Sequence, residues 1–111
     1  MGRLSRLTES DRVEVLAFLA IRPVHTVVMT SFIFDNGIES ELNRGQFFGF
    51  RGTDSKLEGV ALIGHSTLVE ARTDEALRTL AVCARTADTP IHLVMSSGDA
   101  AERFWNHLAL G

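Results

Sequence analysis

The sequence predicts one domain of the α/β (α+β) class, with a mixed, mostly antiparallel five-stranded sheet and four helices. Strand-like apolar runs fall in the middle of the chain, whereas the segments before and after them repeat apolar residues every three to four positions. The length of 111 residues, with 45% hydrophobic and 23% charged residues, is ordinary for a globular domain. We therefore treat residues 1–111 as a single domain.

The first third of the chain predicts a short strand and two helices. Residues 4–7 alternate apolar and basic side chains, as a strand does. Segment 8–11 resembles a capping box, which starts a helix over about 9–21 that Pro23 ends. A second helix follows and runs to the left-handed stop that Gly37 supplies.

Apolar period assigns a buried face to each of these two helices. The first helix is expected to bury Val13, Leu16, Ala17 and Ala20, with Phe18 and Leu19 widening the stripe. The second helix is expected to bury Val24, Val27, Val28 and Phe32.

The middle of the chain predicts three antiparallel neighbours. Runs 46–51 and 57–64 flank the turn-rich segment 52–56, which makes a hairpin, and a third strand follows at about 67–71. Three aromatic residues of the first run either line a pocket or pack within the sheet, and packing is their ordinary role: Phe47, Phe48 and Phe50.

The last third predicts a helix, a strand and a helix. Thr73 or Asp74 caps the first of these helices. Its buried stripe is Leu77, Leu80, Ala81 and Ala84, while Glu75, Arg78 and Arg85 face away. A strand at 91–95 is expected to run parallel to the preceding one. The last helix opens at Ser96, Ser97, Gly98 and Asp99 and buries Ala101, Phe104, Trp105 and Leu108.

Composition argues against several classes of partner. The net charge is −3 and no cluster of Lys and Arg is present, which argues against nucleic acid as a partner. No apolar run reaches the length of a membrane span, so no membrane partner is expected. A lone Cys83 forms no intrachain disulfide, and no secretory signal pattern precedes the domain, so we expect a cytoplasmic location.

The predicted order of elements resembles the first five strands and four helices of the GNAT acyltransferase fold. Leu7-Thr8, Asp11, Phe18-Leu19 and the segments 45–50 and 56–64 are similar to the N-terminal GNAT-like domain of bacterial tandem acetyltransferases. The resemblance implies acetyl-CoA as the cofactor of the parent family. It also implies that the chain is the N-terminal part of a longer acetyltransferase and lacks the last two strands of that fold.

The resemblance places the acetyl-CoA pyrophosphate at the start of the third helix, where the family has closely spaced glycines. Glycine lets backbone amides approach phosphate, and the helix dipole favours the anion. Segment 69–76 holds no glycine, and Asp74 with Glu75 puts two carboxylates at this position. No cofactor-binding residue is therefore expected. If acetyl-CoA binds after all, the residues that correspond to the loop are Val69, Ala71, Arg72 and Ala76.

The last helix also departs from the family pattern. Gly98, Ala101, Phe104 and Leu108 follow its spacing, but Trp105 stands where many members have the Tyr that donates a proton. An indole N–H donates a hydrogen bond and does not act as a general acid. The chain contains no Tyr at all. We therefore predict no catalytic residue.

Other candidate sites have a plain structural reading beside the functional one. His25, His65, His92 and His107 lack metal-ligand spacing, so no metal is expected. Cys83 is either a nucleophile or a small core residue, and its place near an apolar stripe favours the core. Ser96, Ser97 and Gly98 either bind a small ligand or cap a helix, and Glu39 with Glu41 is expected to solvate a surface loop.

These observations favour a structural or regulatory GNAT-like domain without catalysis. Its expected partner is a second GNAT domain of the same polypeptide or another copy of the chain, recruited at the open edge of strand 91–95. Two alternatives stay open. One is an active acetyl-CoA-dependent N-acetyltransferase with a diverged phosphate loop and water as its acid. The other is a small-ligand sensor built on segment 96–98.

Overall fold

The computed structural model describes residues 2–21, 23–43, 45–64, 66–85, 93–95, 103–104 and 106. Within these ranges the chain has the predicted mixed α+β character. The strands are β1 (Arg3–Arg6), β2 (Gly45–Arg51), β3 (Leu57–Gly64), β4 (Ser66–Ala71) and β5 (Leu93–Met95). The helices are α1 (Arg12–Leu19), α2 (Pro23–Asn36) and α3 (Asp74–Arg85), and single turns of 3-10 helix span Glu9–Asp11 and Glu41–Asn43.

The five strands form one sheet in the order of the sequence. Strands β1 to β4 are antiparallel neighbours, and the hairpin of β2 and β3 surrounds the predicted turn. Strand β5 lies parallel to β4, with Ser66 opposite Leu93 and Leu68 opposite Met95. The parallel strand is therefore confirmed over residues 93–95, and residues 91 and 92 lie outside the described ranges.

Two apolar clusters fill the two faces of the sheet. One joins α1 and α2 to the sheet through residues such as Phe18, Ile33 and Leu62. The other joins α3 to the opposite face through residues such as Leu80 and Ile63. Alternation along each strand divides its side chains between the two clusters, as strand geometry requires. The fold thus has three layers, with the sheet in the middle.

The predicted buried face of α1 was wrong. Val13 is 82% exposed and Ala17 and Ala20 are also exposed, whereas the buried residues are Val15, Phe18 and Leu19. The helix is apolar on both sides, so its period alone does not identify the face that meets the sheet. The helix is also shorter than predicted, because residues 9–11 form a 3-10 turn. Only Leu16, of the stripe's core, is partly buried against the first cluster.

The same error affects α2. Val27 and Val28 are 56% and 43% exposed, whereas Thr26, Met29 and Ile33 are buried. Phe32 is partly buried, and the side chain of Val24 is outside the described part of the structure. The ends of the helix follow ordinary rules, since Pro23 is its first residue and Gly37 stops it in the left-handed region at φ +86°.

The third helix matches its prediction. Leu77, Leu80, Ala81 and Ala84 are buried, and Ala76 is buried beside them. Glu75, Arg78 and Arg85 are exposed. One side of this helix is polar and the other is apolar, so the sequence alone identifies its buried face.

Part of the last predicted helix is described. Arg103, Phe104 and Asn106 are helical, and Phe104 is fully buried in the second cluster, as predicted. The predicted opening at 96–99 and the side chains of Ala101, Trp105 and Leu108 lie outside the described ranges. Across those ranges, the structure contains no helix with both the length and the apolar character that crossing a bilayer requires.

Candidate functional site

The candidate site is the junction segment, residues 69–76, where β4 ends and α3 begins. It is the place at which the sequence analysis put the phosphate loop. Three of its backbone amides have internal acceptors or cap bonds. The Arg72 amide donates to the Glu58 carbonyl at 2.8 Å, which continues the pairing of β3 and β4 by one residue. The turn into α3 is therefore fixed to the sheet.

Thr73 caps the helix. Its hydroxyl oxygen accepts a hydrogen bond from the Ala76 amide at 3.1 Å, and its carbonyl accepts from the Leu77 amide at 3.1 Å. Threonine is a favoured N-cap because its side-chain oxygen satisfies an amide that the helix leaves without a partner. Of the two predicted caps, Thr73 and Asp74, the structure selects Thr73. The Ala76 amide is thereby used inside the protein.

The four residues named for a possible cofactor loop do not form one surface. Val69 and Ala76 are 2% and 0% exposed and belong to the core around α3. Ala71 is half-buried and packs against the second cluster. Arg72 alone is exposed. The methyl of Ala76 faces Gly59 on β3, where an added Cβ would lie 3.0 Å away, so the helix sits directly on the sheet.

Arg72 is directed toward α1. Its guanidinium carbon lies 4.2 Å from the centroid of the Phe18 ring, and one terminal nitrogen donates to the Phe18 carbonyl at 3.5 Å. A cation stacked on an aromatic face is held electrostatically by the ring. The positive charge nearest the junction thus joins α1 to the end of β4. Sequence reasoning missed this contact, because the two residues are 54 positions apart.

Carboxylates surround the junction. Asp74 and Glu75 are exposed in the first turn of α3, and Asp74 pairs with Arg103 at 3.2 Å. On β3, Glu58 accepts a hydrogen bond from the Thr73 hydroxyl at 3.3 Å. Acids at a helix N-terminus stabilise the helix through its dipole. The same charges repel an incoming anion.

These residues do not fit the pyrophosphate of acetyl-CoA. A phosphate at a helix N-terminus needs free amides, close backbone approach and a positive field. At this junction the Ala76 amide is capped, the arginine is stacked on Phe18, and three carboxylates are near. No chemical step is therefore derived through this cofactor.

Sequence reasoning also missed Glu70, a carboxyl group within the core. It is 2% exposed on β4, on the same face as Leu68 of the first cluster. A carboxyl group is rarely this buried unless it has a partner, and Glu70 does take part in an interaction within the protein. An acidic residue inside an otherwise apolar strand is the signal that identifies it in the sequence.

Cys83 lies on α3, partly buried against the second cluster. Burial raises the pKa of its thiol, which lowers the thiolate fraction at neutral pH. Phe47 and Phe50 are buried, in agreement with packing within the sheet.

The other candidate residues gain little from the structure. The imidazole groups of His25, His65, His92 and His107 and the segment 96–98 lie outside the described part of the chain. Within the described part, no group of three or more His, Cys, Asp or Glu residues could hold a metal ion.

Glu39 has a more definite role than solvating a loop. Its carboxylate accepts a hydrogen bond from the Glu9 amide at 2.9 Å, and the Glu9 carboxylate accepts from the Glu39 amide at 2.8 Å. This reciprocal pair joins the segment before α1 to the segment after α2. Glu41 is exposed, as expected.

With this geometry established, comparison with known proteins gives no family assignment. No protein-family model, no curated protein and no solved structure matches the chain significantly.

Proposed function

We propose that this chain is a non-catalytic GNAT-like domain with a structural or regulatory role in a cytoplasmic acetyltransferase. In this proposal it packs against a second GNAT domain or against another copy of itself, and it binds no acetyl-CoA. The element order of the mixed sheet supports the likeness, with four antiparallel strands followed by a parallel fifth.

One observation carries the proposal: the start of α3 is occupied by the protein's own groups. The Thr73 hydroxyl takes the Ala76 amide, and the side chains of Asp74 and Glu75 supply negative charge where a phosphate would need positive charge. Every buried side-chain nitrogen or oxygen in the described ranges also has a hydrogen-bond partner. This part of the protein therefore needs no ligand to satisfy a buried polar group.

A thermal-shift titration with acetyl-CoA tests the proposal. A ligand that binds only the folded state at 100 times its Kd adds about 2.7 kcal/mol, which raises the Tm of a small domain by roughly 10 °C. We expect no saturable rise for the wild-type chain. Desulfo-coenzyme A and adenosine 3′,5′-bisphosphate serve as matched ligands that separate diphosphate binding from recognition of the nucleotide. A saturable rise with acetyl-CoA would favour the active enzyme instead.

The enzyme alternative has one observation in its favour, which is the buried carboxyl group of Glu70. A buried carboxyl group is one of the groups that serve as a general base. Its internal interaction favours a structural role. The two roles differ in a coupled assay of CoA thiol release with a panel of amine acceptors. The enzyme alternative requires turnover that Glu70→Gln abolishes without changing the Tm, and our proposal requires no turnover by either protein.

A further inference from the structure

Exposed apolar side chains are concentrated on the side of α1 and α2 that faces away from the sheet. We call this the outer helical surface, defined as Val13, Ala17, Ile21, Val27, Val28 and Phe34. The larger members are 82%, 63%, 56%, 43% and 64% exposed, for Val13, Ile21, Val27, Val28 and Phe34. Isolated exposed apolar residues are ordinary, but a group of this kind on one side of a protein marks an interaction site.

The two helices present these residues on one side of the molecule. Both helices pack on the same sheet face through one apolar cluster, with Phe18 from α1 and Met29 from α2 among its members. On α1, Val13 and Ala17 lie about half a helical turn from Phe18 and the other buried residues, and Val28 is similarly placed on α2. The second faces of both helices therefore point outward together.

The size of this surface suits an association between proteins. With a typical residue area of the order of 150 to 200 Å², the exposed parts of the five large residues total roughly 500 Å². That is in the upper part of the range for the largest apolar patch on a monomer, about 300 to 600 Å². A standard interface takes about 800 Å² from each partner, so these residues and the small ones around them are enough for one.

The charge distribution indicates which partner fits. The chain has a net charge of −3, so two copies repel each other unless they meet at an uncharged surface. Residues 23–34 contain no Asp, Glu, Lys or Arg. A twofold interface brings the same surface of each copy together, so it must not carry a strong charge of one sign. The outer helical surface meets this condition.

We propose that a second copy of this chain docks on the outer helical surface, helix layer against helix layer, to form a twofold dimer. This inference rests on the proposed function and specifies its partner. It also explains why the apolar stripe of α1 is not buried within one chain: the stripe is buried between two chains.

Sedimentation equilibrium of three matched Val→Glu variants tests the dimer. Val13→Glu and Val28→Glu place a charge on the outer helical surface. Val82→Glu is the control, because Val82 is 42% exposed, close to the 43% of Val28, and lies on α3 across the sheet. All three changes are made in helices, and Glu favours a helix more than Val does. Circular dichroism and the Tm of each monomer show that the variants are folded.

We expect the wild-type chain and Val82→Glu to dimerise with equal Kd, and both outer-surface variants to dimerise at least tenfold more weakly. A wild-type chain that stays monomeric up to millimolar concentration would overturn the proposal. So would a dimer that the outer-surface variants leave unchanged, or one that all three variants weaken equally. Acetyl-CoA binding does not enter this measurement, so the result is separate from the test of the proposed function.

Discussion

Thr73 is the residue at which a cap and a phosphate site compete for the same amide. Its hydroxyl accepts from the Ala76 amide at 3.1 Å and donates to Glu58 at 3.3 Å, so one small side chain closes the helix and ties it to β3. A glycine here would leave the amide open to an anion. The identity of this residue therefore separates a capped helix from a phosphate loop.

Replacing Thr73 tests the cap. Thr73→Ala removes the acceptor for the Ala76 amide, so we expect a loss of about 1 kcal/mol in the free energy of unfolding, measured with urea. Thr73→Ser keeps the hydroxyl and should retain most of the stability. Equal losses for the two variants would show that the methyl group matters and the cap does not.

Arg51 joins the β2–β3 hairpin to the start of α1. Its guanidinium donates to Glu14 at 2.7 Å, to Asp11 at 3.3 Å and to the Ser55 carbonyl at 3.1 Å, and its side chain is 17% exposed. Asp11 in turn accepts from the Thr8 amide at 2.9 Å, which forms one half of the predicted capping box. Bonding to Glu14 is the main reason that the pKa of Arg51 is raised.

We expect Arg51→Met to lower the free energy of unfolding by about 1 to 2 kcal/mol, because it removes charged hydrogen bonds that are partly screened by solvent. Arg78→Met on the exposed side of α3 is the matched control, and it should change stability by less than about 0.5 kcal/mol. Urea unfolding of both variants gives the comparison. If the two losses are the same, Arg51 does not hold the hairpin to α1.

The raised pKa of Cys83 gives stability a pH dependence with a definite sign. In the unfolded chain the thiol ionises near its ordinary value, about 8.5, whereas burial keeps the folded thiol protonated to higher pH. Stability is therefore unaffected below the unfolded pKa and falls as pH rises through that value toward the folded pKa. The chain has no Tyr and one Lys, so few other side chains titrate in this window.

We expect Cys83→Ala to reduce this alkaline loss, so that the difference in unfolding free energy between pH 8 and pH 10 is smaller than in the wild-type chain. Urea unfolding at both pH values measures it. A wild-type slope that is equal to or smaller than that of Cys83→Ala would contradict the burial of the thiol.

At the scale of elements, α3 could be predicted from sequence and the faces of α1 and α2 could not. In α3, charged residues such as Arg78 occupy one side and leaves no doubt about the other, which carries Leu77 and Leu80. In α1, Val13 and Val15 point to opposite sides and are equally apolar. The sheet decides between such faces, because it offers a complementary surface to one of them.

The packing of α3 on β3 depends on the lack of a side chain at Gly59. A Cβ there would lie 3.0 Å from Ala76 Cβ and 3.0 Å from Leu80 Cδ1. We expect Gly59→Val to cost about 1 to 3 kcal/mol of stability through overpacking, measured by urea unfolding. Gly52→Ala is the control, since its Cβ meets mainly the flexible end of Glu58. Similar losses for both would contradict close packing of α3 on the sheet.

At the scale of the whole molecule, the two edges of the described sheet differ in character. Strand β1 ends the sheet with Arg3 and Arg6 exposed, and such charges on an edge discourage pairing with another strand. At the other end, no strand of the described ranges pairs with the far side of β5. This asymmetry supports the proposal that β5, and not β1, is the edge at which a second GNAT domain adds.

How much of the candidate site could be predicted follows from the range of each interaction. The acids at 74 and 75 and the lack of glycine are local, and sequence alone identified them. The cap on Ala76 is also local, and only the choice between Thr73 and Asp74 needed the structure. The stacking of Arg72 on Phe18 and the burial of Glu70 depend on how distant segments meet, which no local pattern states.

An acetyl-CoA titration followed by ¹H–¹⁵N correlation spectra tests the central claim most directly, because it reports on each amide of the junction segment. We predict that the Arg72, Thr73 and Ala76 amide resonances do not move in a saturable way at millimolar acetyl-CoA. Saturable shifts confined to these amides, together with intermolecular NOEs to the ligand, would show that the start of α3 binds the cofactor and would contradict the account.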